Sequence, residues 1–168
     1  MTLPQRLTSC YIGSARVAAQ WLGPAALLLM RVWVARVFWR AGVVKFDDPY
    51  GTHVLFSTVY QVPLLAPALA AVLGTWIELI TPWLLGFGLA GRATALFLFV
   101  YNIIAVVSYS GLWPHGFWPG LVGADFSDHK VWAIMLLALV AWGPGALSID
   151  RLLARFWPRP GTAGAMTR

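Results

Sequence analysis

Long apolar runs, separated by short polar stretches, dominate the chain. Four runs are long enough to cross a bilayer as helices, because one span needs about 20 predominantly apolar residues. Helices are expected rather than strands, since an open strand would leave its backbone groups unpaired in lipid. We therefore predict an all-α integral membrane protein, a bundle of four transmembrane helices. The predicted spans cover approximately residues 24–45, 65–89, 92–112 and 130–147.

The composition supports a membrane protein. Hydrophobic residues make up 60% of the chain and charged residues only 11%, whereas about 25% of the residues of a soluble domain are charged. The net charge of +6 could suggest a nucleic-acid partner, but the cations do not cluster in a soluble basic domain, so none is expected. The single cysteine, Cys10, excludes an internal disulfide and a dithiol redox pair. Any electron transfer would need a bound cofactor or a partner.

Charges near the span ends predict the orientation. Basic residues in short loops favour the cytoplasmic side. Such residues precede span 1, separate spans 2 and 3, and follow span 4, so both termini are expected inside. The loops after spans 1 and 3 carry aspartates that offset their lysines and are expected outside. The basic residues are Arg6, Arg16, Arg92, Arg151, Arg155 and Arg159.

Three parts of the chain are expected. Residues 1–23 form a cytoplasmic segment, for which a short helix in the inner interface and a disordered tail are both open. No signal peptide is expected there, because no compact apolar core precedes a small-residue cleavage site. Residues 24–150 form the membrane domain, and residues 151–168 form a basic cytoplasmic tail.

Span 1 carries three arginines, although an arginine at a helix centre costs about 2.5–3.5 kcal/mol on insertion scales. At about 100° per residue, Arg36 and Arg40 share one helix face and Arg31 lies roughly opposite Arg40. We expect Arg31 to anchor span 1 at the inner interface, while Arg36 and Arg40 face the bundle. The expected partner of Arg36 is Glu78 of span 2, in an ion pair that Arg40 could extend.

Span 3 adds Tyr101 and Asn102 near its middle. In one interpretation, the polar residues of the spans only lock the helices together. In the other, they line a pocket for a small polar or quinone-like molecule, or for protons, with Glu78 as the candidate proton-handling group. Buried ion pairs add little stability, which favours a role somewhat. The candidate pocket residues are Arg36, Arg40, Glu78, Tyr101 and Asn102.

All three histidines fall in the predicted outer loops, close to several aspartates. A metal site would need these groups to converge, and their loose spacing makes this a weak indication. The candidate ligands are His53, His115, Asp125 and His129. No haem is expected, because no histidine lies inside a predicted span. Aromatic residues of the second outer loop are typical of the headgroup region.

Two blocks of the chain resemble the DoxX-type family of small bacterial membrane proteins. RVWVARVFWRAGVVKFDDPYGTHVLF has an arginine in the span, then glycine and lysine, and a loop leading to phenylalanine. APALAAVLGTWIELITPWLLGFGLAGRATAL has a mid-span glutamate, a glycine-rich end and an arginine that opens the next span. By motif position, the recurrent polar positions of the family correspond to Arg36, Lys45, Glu78 and Arg92, and the family assigns none of them a chemical step.

The resemblance implies a four-helix bundle in the bacterial cytoplasmic membrane. It also implies a link to quinone-dependent oxidation of sulfur compounds or to membrane-bound redox complexes. We therefore expect a subunit or accessory of a quinone-linked oxidoreductase system, embedded in the lipid bilayer beside a protein partner. The alternative is a non-catalytic scaffold that docks a soluble partner, with purely structural polar pairs. Substrate and oligomeric state stay open.

Overall fold

The computed structural model describes the backbone of residues 3–156 and the side chains of residues 11–156. Within these ranges every regular element is helical, which confirms the predicted all-α class. A 3₁₀ turn, Ser110–Leu112, lies between the fourth and fifth helices. The helices are α1 (Leu3–Asp47), α2 (Pro49–Thr58), α3 (Pro67–Phe87), α4 (Gly91–Ser108), α5 (Phe117–Val122), α6 (Ser127–Trp142) and α7 (Ile149–Phe156).

Three helical segments within the described residues are long and apolar enough to cross a membrane: Tyr11–Asp47 of α1, α3 and α4. The fourth predicted span corresponds to α6, which has 16 residues, fewer than the about 20 of a typical span. Gly143 ends α6 with a φ of 81°, a region that favours glycine. Pro144 then follows, and proline has no backbone N–H with which to continue the helix.

Helix α1 is longer than the predicted first span. Its 45 residues extend about 67 Å at about 1.5 Å per residue, while the hydrocarbon core of a bilayer is about 30 Å thick. Pro24 lies inside this helix without ending it. The predicted boundary between residues 23 and 24 is therefore not a break in the helix, and only part of α1 can lie in hydrocarbon at one time.

Each predicted outer loop contains a helix, α2 in the first and α5 in the second, and both lie at one end of the bundle, which we call the α2 end. Asp48 caps α2 by accepting the backbone N–H of Gly51 at 2.8 Å, and Phe56 of α2 packs on Ala70 and Ala71 of α3. In the second loop, the Lys130 ammonium donates to the carbonyl oxygens of Gly120, in α5, and of Gly123, just after it, at 3.2 Å and 2.6 Å, which ties α5 to α6.

The long helices pair unevenly. α1 packs along α3, and α4 packs along α6, whereas α3 and α4 approach each other much less although they are consecutive in the chain. A core of Val34, Phe38, Leu98, Leu136 and Leu139 joins α1, α4 and α6. The bundle therefore has close seams between α1 and α3 and between α4 and α6, and a looser one between α3 and α4.

The opposite end of the bundle, the α7 end, is tied together by polar contacts. The Asp150 carboxylate accepts the backbone N–H groups of Ala90 and Gly91, each at 2.7 Å. The Arg31 guanidinium donates to the Leu147 carbonyl oxygen. Arg31 is only 1% exposed, so the expectation that it anchors span 1 at the interface is wrong. It instead fastens α1 to the segment that follows α6.

Candidate functional site

A cavity of about 400 Å³ lies between α1, α3, α4 and α6, beneath the α2 end. Its volume is within the range of about 300–1,000 Å³ that small-molecule sites occupy. Most of its lining is apolar, from residues such as Phe38, Ile77 and Trp132. The polar lining residues are Lys45, Tyr60, Glu78, Tyr101, Ser108, Tyr109 and His129.

Three of these polar groups form a network. The Lys45 ammonium pairs with Oε2 of Glu78, and the Tyr101 hydroxyl donates to Oε1 of the same carboxylate at 2.8 Å. The side chains of Lys45 and Glu78 are only 17% and 8% exposed. Because both carboxylate oxygens are used, Glu78 is held between two proton donors from two other helices. Hydrogen bonds to an ionised group are stronger than neutral ones, so this network is well fixed.

The predicted Arg36–Glu78 pair is wrong, and Lys45 takes the place of Arg36. At about 100° per residue, Lys45 and Arg36 lie on opposite faces of α1. The face that meets α3 is determined by Gly42, where an added Cβ would lie 2.8 Å from the backbone carbonyl carbon of Glu78. The two backbones therefore touch at Gly42, and Lys45, one turn later, reaches the carboxylate.

Arg36 and Arg40 lie outside the cavity. Both side chains are exposed. Arg36 lines a groove on the outer surface of α1 and α3, where the rings of Trp39 and Trp83 meet edge to face with centroids 6.0 Å apart. Of the predicted pocket residues, the structure thus brings Glu78 and Tyr101 together in the cavity and leaves these two arginines on the surface.

Asn102 does not line the cavity itself but holds a residue that does. Its amide nitrogen donates to the His129 carbonyl oxygen at 2.9 Å, and its amide oxygen lies 2.8 Å from Nδ1 of His129. Because an amide oxygen can only accept, Nδ1 carries the proton in this arrangement. Asn102 thereby orients the His129 ring, which lines the cavity. The spacing of His129, Trp132 and Leu136 along one helix face could have revealed this position in the sequence.

Two tyrosines that the sequence analysis did not consider line the cavity at the α2 end. The rings of Tyr60 and Tyr109 meet edge to face with centroids 5.3 Å apart. Burial raises the pKa of Tyr60, and the nearby Tyr109 and Glu78 raise it further. Tyr60 therefore remains a neutral hydroxyl that can donate a hydrogen bond. No signal marked it, because the segment after α2 has the composition of an ordinary interfacial loop.

The candidate metal ligands do not converge. His129 faces the cavity, His53 is exposed on α2, and Nδ1 of His115 lies 3.4 Å from an Asp125 oxygen. Among residues 11–156, no group of three or more histidine, cysteine, aspartate or glutamate side chains is placed to hold a metal ion. The closeness of these residues along the outer loops does not bring them together into a metal site, because His129 lies on α6 and faces the cavity.

A match to a family model decides the relationship of the chain to known proteins. The model for DoxX matches residues 26–111, just over half of the chain. The protein belongs to the DoxX family. No curated protein and no solved structure matches the chain. The DoxX match includes Lys45, Glu78 and Tyr101, so the whole of this network belongs to the part shared with the family, while His129 lies beyond it.

The geometry of this DoxX chain suits the handling of protons beside an apolar ligand. Glu78 can take up a proton, and both Lys45 and Tyr101 already direct protons toward it. Transfer of a proton within the Lys45–Glu78 pair leaves its net charge at zero, so no isolated ion is created among apolar walls. The hydroxyl of Tyr60 and the ring of His129 supply further hydrogen-bonding groups at the cavity surface.

Proposed function

We propose that this DoxX protein is a subunit or accessory of a quinone-linked oxidoreductase system and that its cavity binds the quinone. One observation carries the proposal: a cavity of about 400 Å³ with largely apolar walls contains the buried Lys45–Glu78–Tyr101 network. Apolar walls suit the ring of a quinone, and cationic and hydroxyl donors suit its carbonyl oxygens. The residues present therefore fit the group.

In this proposal, a bound quinone supplies the two-electron acceptor. Lys45 and the Tyr60 hydroxyl donate hydrogen bonds to its oxygens, while Tyr101 holds Oε1 of Glu78. Glu78 holds and relays a proton at its carboxylate. His129 directs its Nδ1 proton at Asn102, so its Nε2 is left as an acceptor on the α6 side for a proton or for a hydrogen bond from a hydroxyl. Electrons come from a protein partner, since the chain has a single cysteine and no dithiol pair of its own.

The same proposal places the chain in the bacterial cytoplasmic membrane, with α6 as a short fourth span and both termini inside. Asp150 binds the α3–α4 turn, so the segment after α6 and this turn lie at one end of the bundle. Arg92, Arg151 and Arg155 lie at this end, in agreement with a cytoplasmic location. In a variant whose Cys10 is replaced by serine, membrane-impermeant labelling of cysteines introduced singly at Arg155 and at Asp125 should occur from opposite sides of the membrane. Labelling of both cysteines from the same side would contradict this topology.

The functional proposal is tested by purification in a gentle detergent, followed by mass spectrometry of bound small molecules and proteins. We expect a quinone to co-purify with the protein. We expect the Glu78→Gln variant to lose both the bound quinone and the activity of the quinone-linked oxidoreductase system. Asp125→Asn, which removes a carboxylate outside the cavity, serves as the control. No bound quinone, together with unchanged pathway activity in Glu78→Gln, would refute the proposal.

A second candidate is a scaffold that docks a soluble partner and performs no chemistry. It is favoured by the fact that the Lys45–Glu78–Tyr101 network joins α1, α3 and α4, which would also hold the bundle together. In that case, Glu78→Gln lowers the stability or assembly of the protein, and a partner co-purifies through the loops or the basic tail of residues 151–168. Of that tail, residues 157–168 lie outside the described part of the chain.

A further inference from the structure

The cavity has a mouth on the side of the bundle. Besides Leu65, which precedes α3 and is 39% exposed, four lining residues are exposed on the surface: Leu73 of α3 is 42% exposed, and Phe97, Val100 and Ile104 of α4 are 47%, 48% and 41% exposed. These residues border the loose seam between α3 and α4. Because both helices are candidate spans, this mouth opens toward the lipid rather than toward water.

The α2 end is closed by comparison. The backbone N–H of Gln61 donates to the Ser108 carbonyl oxygen at 2.8 Å, which joins the segment after α2 to the end of α4. Below this contact the ring of Tyr60 packs against those of Phe56 and Tyr109, with centroids 5.0 Å and 5.3 Å apart. A ligand from the aqueous side would have to displace these rings, whereas one from the bilayer would pass between α3 and α4.

The mouth and the interior differ in chemistry. Leu73, Phe97, Val100 and Ile104 have hydrocarbon side chains, while the charged pair of Lys45 and Glu78 lies deeper and is largely buried. A polar solute would lose its hydration in such a passage without gaining hydrogen bonds. A hydrocarbon chain loses nothing there, because the walls are as apolar as the lipid that it leaves.

We propose that the ligand of this cavity is a two-part, lipid-soluble molecule that enters from the bilayer between α3 and α4. Its carbonyl-bearing head lies beside Lys45, Glu78 and Tyr101, and its isoprenoid tail remains in the mouth. This inference rests on the proposed function and deepens it, because a quinone is then recognised by its tail as well as by its head.

Two adjacent isoleucines of α4 provide a matched test. Ile103 and Ile104 are 43% and 41% exposed, but of the two only Ile104 lines the cavity. Binding of a benzoquinone with a long isoprenoid tail, and of the same ring without a tail, is measured on Ile103→Trp and Ile104→Trp in detergent. In Ile104→Trp the larger indole fills the mouth and excludes the tail. We therefore expect this variant to bind the tailed quinone about tenfold more weakly, because the tail loses its apolar contacts. It should bind the tailless ring as the unsubstituted protein does. Ile103→Trp should change neither.

The outcomes separate this inference from the proposed function. If the unsubstituted protein binds neither quinone, the proposed function fails. If it binds both equally tightly, or if Ile104→Trp weakens both to the same degree or neither, the cavity can still hold a quinone but the tail does not occupy the mouth. Leu73→Trp on α3, with Val72→Trp as its exposed control outside the cavity lining, repeats the comparison should Ile104→Trp fail to fold.

Discussion

The two faces of α1 differ sharply in what they contact. One face carries Arg31, Phe38 and Lys45, within about 40° of one another around the helix, and it packs into the bundle. The other face carries Arg36 and Arg40, which are exposed. Each face contains cations in a part of α1, residues 24–45, that is otherwise apolar, yet only the first forms the wall of the cavity between the helices.

This difference shows what decides the inward face of a membrane helix. In a soluble protein the polar face turns to water, but a lipid-facing surface is as apolar as a core, so polarity does not distinguish the two faces. The deciding feature is Gly42, which lets the backbone of α1 touch that of α3 beside Glu78. Close approach at one small residue thereby selects Lys45 rather than Arg36 as the partner of the carboxylate.

The largest expected loss of stability comes from removing the partner of Lys45, the cation on the inward face. Glu78→Leu strands the Lys45 ammonium among apolar walls, and breaking a buried pair in this way costs about 3–5 kcal/mol. The free energy of unfolding in detergent, from thermal or denaturant transitions, measures the loss. If Glu78→Leu were as stable as the unsubstituted protein, the inward face would not depend on this ion pair.

A smaller effect on stability is expected where α1 meets α3 at Gly42. Alanine there and alanine at Gly13, elsewhere in α1, should change stability in opposite directions. Gly42→Ala places a Cβ against the backbone of Glu78 and should lower stability by about 1–3 kcal/mol through overpacking. Gly13→Ala has no atom within 4 Å of the new Cβ and should raise stability by up to about 1 kcal/mol, because alanine favours a helix more than glycine does. Equal melting temperatures of the two variants would show that Gly42 does not determine which face of α1 packs against α3.

The smallest effect is expected on the outward face. Arg36→Gln removes an exposed charge that contacts neither Glu78 nor the cavity, so the free energy of unfolding should fall by no more than about 0.5 kcal/mol. Quinone binding, measured on the same preparation, should be unchanged. A loss of binding comparable to that of Glu78→Gln would show that Arg36 takes part in the binding site, and the assignment of the two faces of α1 would then be wrong.

The fold was predictable where hydropathy alone decides it. The spans expected at residues 65–89 and 92–112 correspond closely to α3 and α4, Pro67–Phe87 and Gly91–Ser108. The helices α2 and α5 were missed, because segments this short and rich in aromatic residues have no periodicity that separates them from loops. α6 was expected to be longer, since its hydropathy continues past Gly143, whose backbone conformation ends it.

The candidate site was predictable only in part, for a related reason. Glu78 and Tyr101 were expected in a pocket and lie in the cavity, because a mid-span carboxylate needs donors near it. The partner of Glu78 depends on the register between α1 and α3, in which Gly42 rather than Arg36 is level with Glu78. The difference of six residues amounts to about 9 Å along the helix, and no pattern within a single helix could supply it.

The most direct test of the central claim, that the Lys45–Glu78 pair serves a ligand as well as the fold, is the double variant Lys45→Met/Glu78→Leu. Replacing both ions by apolar residues of similar size often leaves a protein as stable as before. We predict that the double variant recovers the stability that Glu78→Leu loses but binds no quinone. Recovery of stability together with quinone binding equal to that of the unsubstituted protein would show that the pair is purely structural.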